Sequence, residues 1–185
     1  MKKYCYLFLI VLCSGVLFTS CGNDDEETYI VDENWQADNE KVINEIARNP
    51  EYSKLESLGG TGSIYYKVLK EGASTDTIYY TSSVKLYYHG ISMDEVSRKM
   101  TSMFDSNDPT IDESQSWSIL KTNELVDGFS TALQYMHPGD RWEIWIPWQL
   151  GYGAAGNRNY SGQSIRPWAY STLKFELEIV EIVQQ

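Results

Sequence analysis

In TLKFELEIVEIV, residues 172–183, Leu173, Phe175, Leu177 and Ile179 alternate with Lys174, Glu176 and Glu178. Successive side chains of a strand point to opposite faces, so this period of two predicts a half-buried antiparallel strand. SIYYKVLKEG at 63–72, TIYYTSSVKLYYHG at 77–90 and RWEIWIP at 141–147 are alternating or rich in β-branched and aromatic residues, and predict three more. In the last of these, Trp142, Ile144 and Ile146 share one face and read as core, while Arg141, Glu143 and Trp145 share the other. Trp145, in a polar row, is expected on the convex face of the sheet. Pro147 ends the strand, and Gly151-Tyr152-Gly153 reads as a tight turn that presents a phenol.

Two stretches carry a helical period instead. Asp38 is placed as an N-cap ahead of Val42, Ile43, Ile46 and Ala47 on one stripe, with a stop at Asn49-Pro50. A helix this short is marginal alone and needs a surface to lie on. In NELVDGFSTALQYMHPGD, Val126, Phe129, Leu133 and Met136 fall near helical spacing, with a stop at His137-Pro138-Gly139. The pattern as a whole predicts an α+β fold: an antiparallel twisted β-sheet curled over one short α-helix, preceded by a short N-terminal helical extension. Gly59-Gly60-Thr61-Gly62 separates an extension at 35–61 from a domain at 62–185, which is long enough for one core.

The first residues change the picture. MKKYCYLFLIVLCSGVLFTSCGNDDEE has two Lys, an apolar run from Tyr4 to Phe18 and small residues before Cys21. The run is short for a membrane span and reads as a signal peptide over 1–20. Phe18-Thr19-Ser20-Cys21 resembles a bacterial lipobox, which implies that Cys21 becomes the lipidated first residue; the alternative is an ordinary secreted protein cleaved nearby. Cys5 and Cys13 fall in the leader, so the remaining chain keeps one Cys and no internal disulfide. Lipid chains would then hold the domain to a membrane. Asn23-Asp24-Asp25-Glu26-Glu27, within an acidic linker at 21–34, reads as a solvated tether and also resembles export signals of some Gram-negative surface lipoproteins. The expected location is the outer membrane, on its periplasmic or cell-surface side, with a monomer favoured.

Charge narrows the partners. The chain has 15 Lys+Arg against 26 Asp+Glu, and without the leader's Lys2 and Lys3 the balance is about -13. That opposes nucleic acid as a partner. His89 and His137 are far apart and have no Cys beside them, so no zinc pattern exists. No nucleophile elbow is present, and the acids between Asp108 and Glu113 lack the central Gly of a calcium loop. Neither a metal nor a cofactor is expected. What remains is aromatic: Tyr88, Phe104, Trp117, Phe129, Tyr152, Trp168 and Phe175, with Asp105 beside Phe104. Such a lining suits an apolar ring or a peptide, with a few polar groups setting orientation.

These residues stand in ordered motifs. Val84-Lys85-Leu86-Tyr87-Tyr88-His89-Gly90, Met103-Phe104-Asp105-Ser106, Leu125-Val126-Asp127-Gly128-Phe129, Met136-His137-Pro138-Gly139-Asp140, Ile146-Pro147 leading to Gly151-Tyr152-Gly153, and Ser171-Thr172-Leu173-Lys174-Phe175-Glu176-Leu177-Glu178 resemble those of FKBP-type peptidyl-prolyl cis/trans isomerases. The resemblance runs over about residues 62 to 183. It implies a sheet half-wrapped around one helix, with the pocket between the helix and the concave face. It further implies Tyr88, Asp105 and Tyr152 as the polar groups, and Phe104, Leu125, Val126, Phe129 and Phe175 as lining. Trp117 is proposed as a wall and Ile165 as the pocket residue of the last loop. Phe129, without an N–H, stands where the family usually has Trp, which bears on macrolide binding more than on turnover. Gly90 to Phe104 is longer than the family's usual turn, and Ile165-Arg166-Pro167 stands where the family tends to have Ile-Pro-Pro.

The implied reaction needs no nucleophile. Rotation of a peptide bond costs ~18–20 kcal/mol because amide resonance is lost. The planar amide is more charge-separated than the twisted one, so a dry aromatic pocket favours the transition state selectively. On this reading Phe104, Phe129 and Phe175 hold the prolyl ring, the Tyr152 hydroxyl and the Val126 N–H donate to substrate carbonyls, and Asp105 polarises the site or orients Tyr88. The expected partners are proline-containing polypeptides. Two other readings stand beside it: a catalytically weak peptide-binding or chaperone lipoprotein on the same fold, and a surface glycan-binding lipoprotein using Trp145, Trp148 or Trp168 as platforms.

Overall fold

The computed structural model describes residues 33–59 and 61–184. The expected leader, the lipidated Cys21 and the acidic stretch after it lie outside the described residues. Nine strands and two α-helices follow: α1 (Glu33–Ile46), β1 (Ser53–Glu56), β2 (Ser63–Lys70), β3 (Ser83–Met93), β4 (Met100–Ser106), β5 (Ser118–Lys121), α2 (Asp127–Leu133), β6 (Arg141–Ile146), β7 (Asn157–Arg158), β8 (Ser164–Ile165) and β9 (Leu173–Gln184). The main sheet runs β1-β2-β6-β9-β3-β4, and every pairing in it is antiparallel. One edge of β3 is shared: Ser83–Leu86 pair with β5, and His89–Met93 pair with β4. β7 and β8 form a separate hairpin.

The period of two places the core. Leu173, Phe175, Leu177 and Ile179 of β9 are buried together with Val84 and Leu86 of β3 and with Trp142, Ile144 and Ile146 of β6. α2 supplies Phe129, Ala132 and Leu133 to the same cluster. Gly128 lets the helix come this close: a Cβ there would lie 2.4 Å from Ile146 Cγ2 and 3.1 Å from Ile64 Cγ2. The single short helix against the sheet, and the short N-terminal helix, are as the pattern predicted.

Three details differ from the pattern. Thr77–Ser82 form no strand, because they find no sheet partner; Ile78 is nevertheless buried in the core, and the Ser82 carbonyl accepts from Thr122 N. α1 extends back to Glu33, so Asp38 lies inside it rather than capping it. Its buried row is Trp35, Asn39 and Ile43, at i, i+4 and i+8, while Val42 and Ile46 are half-buried and Ala47 is exposed. The apolar stripe looked narrower because its central member is an Asn. Asn39 is satisfied across the molecule: Oδ1 accepts from Thr172 N at 2.8 Å, its carbonyl accepts from Thr172 Oγ1 at 2.9 Å, and Nδ2 donates to Met93 Sδ at 3.6 Å. A buried polar side chain holds its place only when paired in this way.

Trp145 lies on the face opposite Ile144 and Ile146, as expected, yet it is only 7 % exposed. Tyr52 meets its ring edge-on at 6.4 Å, Lys174 Nζ lies 5.5 Å from the ring centroid, and its N–H donates to Glu143 at 2.9 Å. The outer face of β6 is therefore covered by the segment that leads into β1.

Candidate active site

β3, β4, α2 and β9 bring four rings together. Phe175 lies at the centre, edge-on to Phe104 at 5.5 Å and to Phe129 at 5.0 Å. Tyr88 meets Phe129 edge-on at 6.1 Å and Phe175 at a tilt, at 6.4 Å. Such arrangements match the positive edge of one ring to the negative face of the next. Gly90, opposite Phe175 in the β3–β9 register, makes room for them. A Cβ there would lie 2.6 Å from Phe175 Cε1 and 2.7 Å from Phe104 Cζ. Opposite β4 the register shifts between Gly90 and Ile91, whose partners are Asp105 and Met103, so Phe104 is the extra residue of a bulge. The bulge turns its ring toward the core, a common way of re-aiming a side chain at a site.

The remaining lining comes from segments that flank α2 and β6. Leu125, Val126 and Tyr152 are partly buried against the core cluster. Val126 is the extended N-cap of α2, and its carbonyl accepts the first helical bond from Ser130 N. Gly153, with φ of 65°, supplies the sharp turn after Tyr152.

Polar side chains beside these rings are few: Tyr88, Asp105 and Tyr152. The Tyr88 hydroxyl donates to Asp105 Oδ2 at 2.7 Å. Burial pushes the Tyr88 phenol well above its ordinary pKa, and the bond to Asp105 with that carboxylate's charge adds to the shift. Burial likewise raises the Tyr152 phenol, with a further contribution from the charge of Asp105. Both hydroxyls thus stay protonated, Tyr88 already donating to Asp105, and the Asp105 field reaches both.

Two proposed lining residues stand elsewhere. Trp117 is 43 % exposed, with Lys85 Nζ 4.1 Å from its ring centroid. Lys85 alternates along β3 with the core-facing Val84 and Leu86, so Trp117 lies on the outer face and not on a pocket wall. β5 pairs Ser118 with Leu86, which leaves the preceding residue on the other side of the sheet. Ile165 lies on β8 opposite Asn157, is 38 % exposed and is outside the packed cluster.

The three Trp considered as sugar platforms are all engaged. Trp145 is covered as described, Trp148 donates to Glu40 of α1 and meets Tyr170 edge-on at 4.9 Å, and Trp168 donates to Glu95.

Two residues at this site carry no sequence signal. Asn107 is buried; its Oδ1 accepts from Tyr88 N at 2.6 Å and its Nδ2 donates to the Leu86 carbonyl at 3.0 Å, which holds the edge of β3 between its pairings with β5 and β4. Glu95 bonds to groups 71 and 73 residues away, a separation that no local period can reveal.

Comparison with known proteins agrees with this geometry. A family model described as FKBP-type peptidyl-prolyl cis-trans isomerase matches residues 76–180. The chain is 31 % identical over 134 residues to the FKBP-type 22 kDa peptidyl-prolyl cis-trans isomerase of Escherichia coli strain K12, covering 72 % of this chain and 57 % of that one. It is 42 % identical over 62 residues to the macrophage infectivity potentiator of Trypanosoma cruzi, covering 34 % of this chain and 29 % of the other. The chain thus spans little more than half of the first of these relatives and less than a third of the second. Among solved structures, a peptidyl-prolyl cis-trans isomerase from Pseudomonas syringae pv. tomato superposes with a TM-score of 0.59 at 22 % identity, over 83 % of this chain and 98 % of that one. FkpA from Escherichia coli superposes with a TM-score of 0.61 at 18 % identity, over 80 % and 59 %. At these identities the two structures establish the fold.

Proposed function

As the chain belongs to the FKBP-type peptidyl-prolyl cis-trans isomerase family, we propose that it isomerises X-Pro bonds of exported or surface proteins by desolvating the amide and stabilising its twisted form in the aromatic pocket. The observation that carries the proposal is the box of Phe104, Phe129, Phe175 and Tyr88 with two protonated phenols beside Asp105. The three Phe rings enclose the prolyl ring and exclude water. The Tyr152 hydroxyl and the Val126 N–H donate to substrate carbonyls. Asp105 fixes Tyr88 by accepting its hydroxyl, so that hydroxyl is already engaged and Tyr152 is the phenol that addresses substrate.

The selectivity comes from charge separation. In a dry pocket the planar amide loses more solvation than the twisted one, and each ~1.4 kcal/mol of that difference is about tenfold in rate. A lipid anchor on Cys21 would hold the isomerase at the outer membrane, on its periplasmic or surface side, as a monomer that meets proline-containing chains during export. The lipobox-like junction and the acidic stretch Asn23-Asp24-Asp25-Glu26-Glu27 that follows it support this placement.

The test is a protease-free fluorescence assay of full chain on an X-Pro peptide. Turnover is expected, with a fall of about a hundredfold in Tyr152→Phe combined with Asp105→Ala, on the scale of losing a preorganised hydrogen-bond donor. Unchanged turnover in the double variant would remove the polar roles, and no turnover in the parent would leave the pocket as a peptide-binding cleft. Labelling of intact cells by a membrane-impermeant reagent, with and without Cys21→Ala, checks the anchor.

A further inference from the structure

The β3–β4 hairpin extends the two strands that carry Tyr88, Gly90, Phe104 and Asp105. Its tip is a closed turn: Asp94 Oδ1 accepts from Val96 N and Ser97 N, and Asp94 N donates to the Lys99 carbonyl at 2.8 Å. Beside Val96, which is 92 % exposed, Glu95 has a side chain only 8 % exposed. What covers it belongs to the loop that follows Tyr152. Arg166 Nε and Nη2 donate to the two carboxylate oxygens at 2.6 and 2.9 Å, and the Trp168 indole N–H donates to Oε1.

That loop starts at Tyr152 and is zipped at its base. Tyr170 N donates to the Gly153 carbonyl at 2.9 Å, Gly153 N donates to the Trp148 carbonyl at 2.9 Å, and Asn157 N donates to the Pro167 carbonyl at 2.9 Å. Residues 153 and 170 are therefore a fixed pair, one residue from Tyr152 and two from Trp168. α1 holds the same segment from behind, with Trp35 Nε1 donating to the Ala169 carbonyl at 2.8 Å and Asn39 holding Thr172. Position thus passes from Glu95 through Trp168 and Tyr170 to Gly153 and the phenol.

We infer that Glu95 is a positioning residue for turnover: through Arg166 and Trp168 it ties the 153–170 loop to the β3–β4 hairpin and thereby fixes the Tyr152 hydroxyl at the pocket. The inference rests on the isomerase reading for its rate effect but not for its structural tie. An exposed ion pair would do little. Here Arg166 is 48 % exposed but the Glu95 side chain is only 8 % exposed, and the forked guanidinium and the indole N–H converge on that one carboxylate, so opening the loop would break all three charge-assisted bonds together.

The experiment pairs turnover with amide hydrogen exchange on the full chain. Glu95→Ala is expected to lower kcat/KM about tenfold, and to cost less than about twofold when Tyr152 is already Phe, since two changes acting through one group are not additive. Exchange at Tyr170 N–H should accelerate at least tenfold, with Gly139 N–H, bonded to Ile179 across the core, unchanged. Glu95→Gln, which keeps the shape and one acceptor, should fall between the parent and Glu95→Ala in both readouts and guards against loss of folding. Equal losses in the Tyr152 and Tyr152→Phe backgrounds, or unchanged exchange at Tyr170, would overturn the inference. A parent without turnover would remove the isomerase reading and the rate role together, while accelerated exchange in Glu95→Ala would still show the tie.

Discussion

Gly90 illustrates how much one position can control. With no side chain it admits two rings that a methyl group would strike at 2.6 and 2.7 Å, and neither ring can retreat, because Phe175 is held in turn by Phe129. Gly90→Ala is expected to lower stability by roughly 1–3 kcal/mol, the usual range for overpacking, and, on the proposed function, to lower kcat/KM more than about tenfold, as the rings proposed to hold the prolyl group are displaced. Urea unfolding and peptide turnover on the same preparation check both. Asn107 acts at the same scale without a ring: it occupies backbone groups of β3 that would otherwise be unpaired inside the protein, a loss worth about 1–3 kcal/mol per group. The motif containing Gly90 was legible in the sequence. Asn107 was not, since a buried Asn following a strand has the same composition as a turn residue.

Among the elements, α1 has the clearest dependence on the rest of the fold. Its mean character is polar, and isolated helices of this length are marginal in water. Trp35, fully buried, and Asn39 attach it to residues 169 and 172 just ahead of β9. Arg98 from the β3–β4 hairpin lies 5.2 Å from the Trp35 ring centroid and 3.8 Å from Asp38. Trp35→Ala is expected to cost roughly 3–5 kcal/mol, as for other large aromatic truncations in cores, measured as a shift in the urea midpoint at constant m-value. Loss of the loop's backing should appear as faster exchange at Tyr170 N–H as well. Sequence spacing predicts this helix but not its start, because Asn39 interrupts the apolar period between Trp35 and Ile43.

For the molecule as a whole, three covered carboxylates set the response to acid. Burial opposes ionisation of Glu143, but bonds from Lys174, Tyr52 and Trp145 outweigh it and hold the carboxyl below its usual range. Burial similarly opposes Glu95 and Asp108; bonds from Arg166 and Trp168 bring Glu95 down, and bonds from Thr110, with His89 Nδ1 nearby at 3.6 Å, bring Asp108 down. The Tyr52 phenol, buried and donating to Glu143, is pushed up to about 12. A carboxylate with a lowered folded pKa contributes stability that is complete above its unfolded value and disappears as pH falls through the folded one. The ordinary values are 4.5 for the two Glu and 3.8 for Asp108, so stability should be flat near neutrality and decline below about pH 4.5. Urea midpoints at pH 7, 4 and 3 measure the decline, and Glu143→Gln should reduce both the neutral-pH stability and the acid slope.

The sequence by itself determined the family, the order of the motifs, the strand faces of β6 and β9, and the four aromatic residues that the structure packs together. Those features are encoded locally, by a period of two and by residue types that a dry pocket requires. Only the tertiary structure decided which face Trp117 takes, what covers Trp145, and that Glu95 joins Arg166 and Trp168. Trp117 depends on the register of β5 against β3, where a shift of one residue exchanges the faces. Trp145 is buried by Tyr52 and Lys174, and Glu95 by a loop that begins more than fifty residues later in the chain. Contacts between distant segments are fixed by how the sheet curls and where its connections return, and no short-range pattern contains that information.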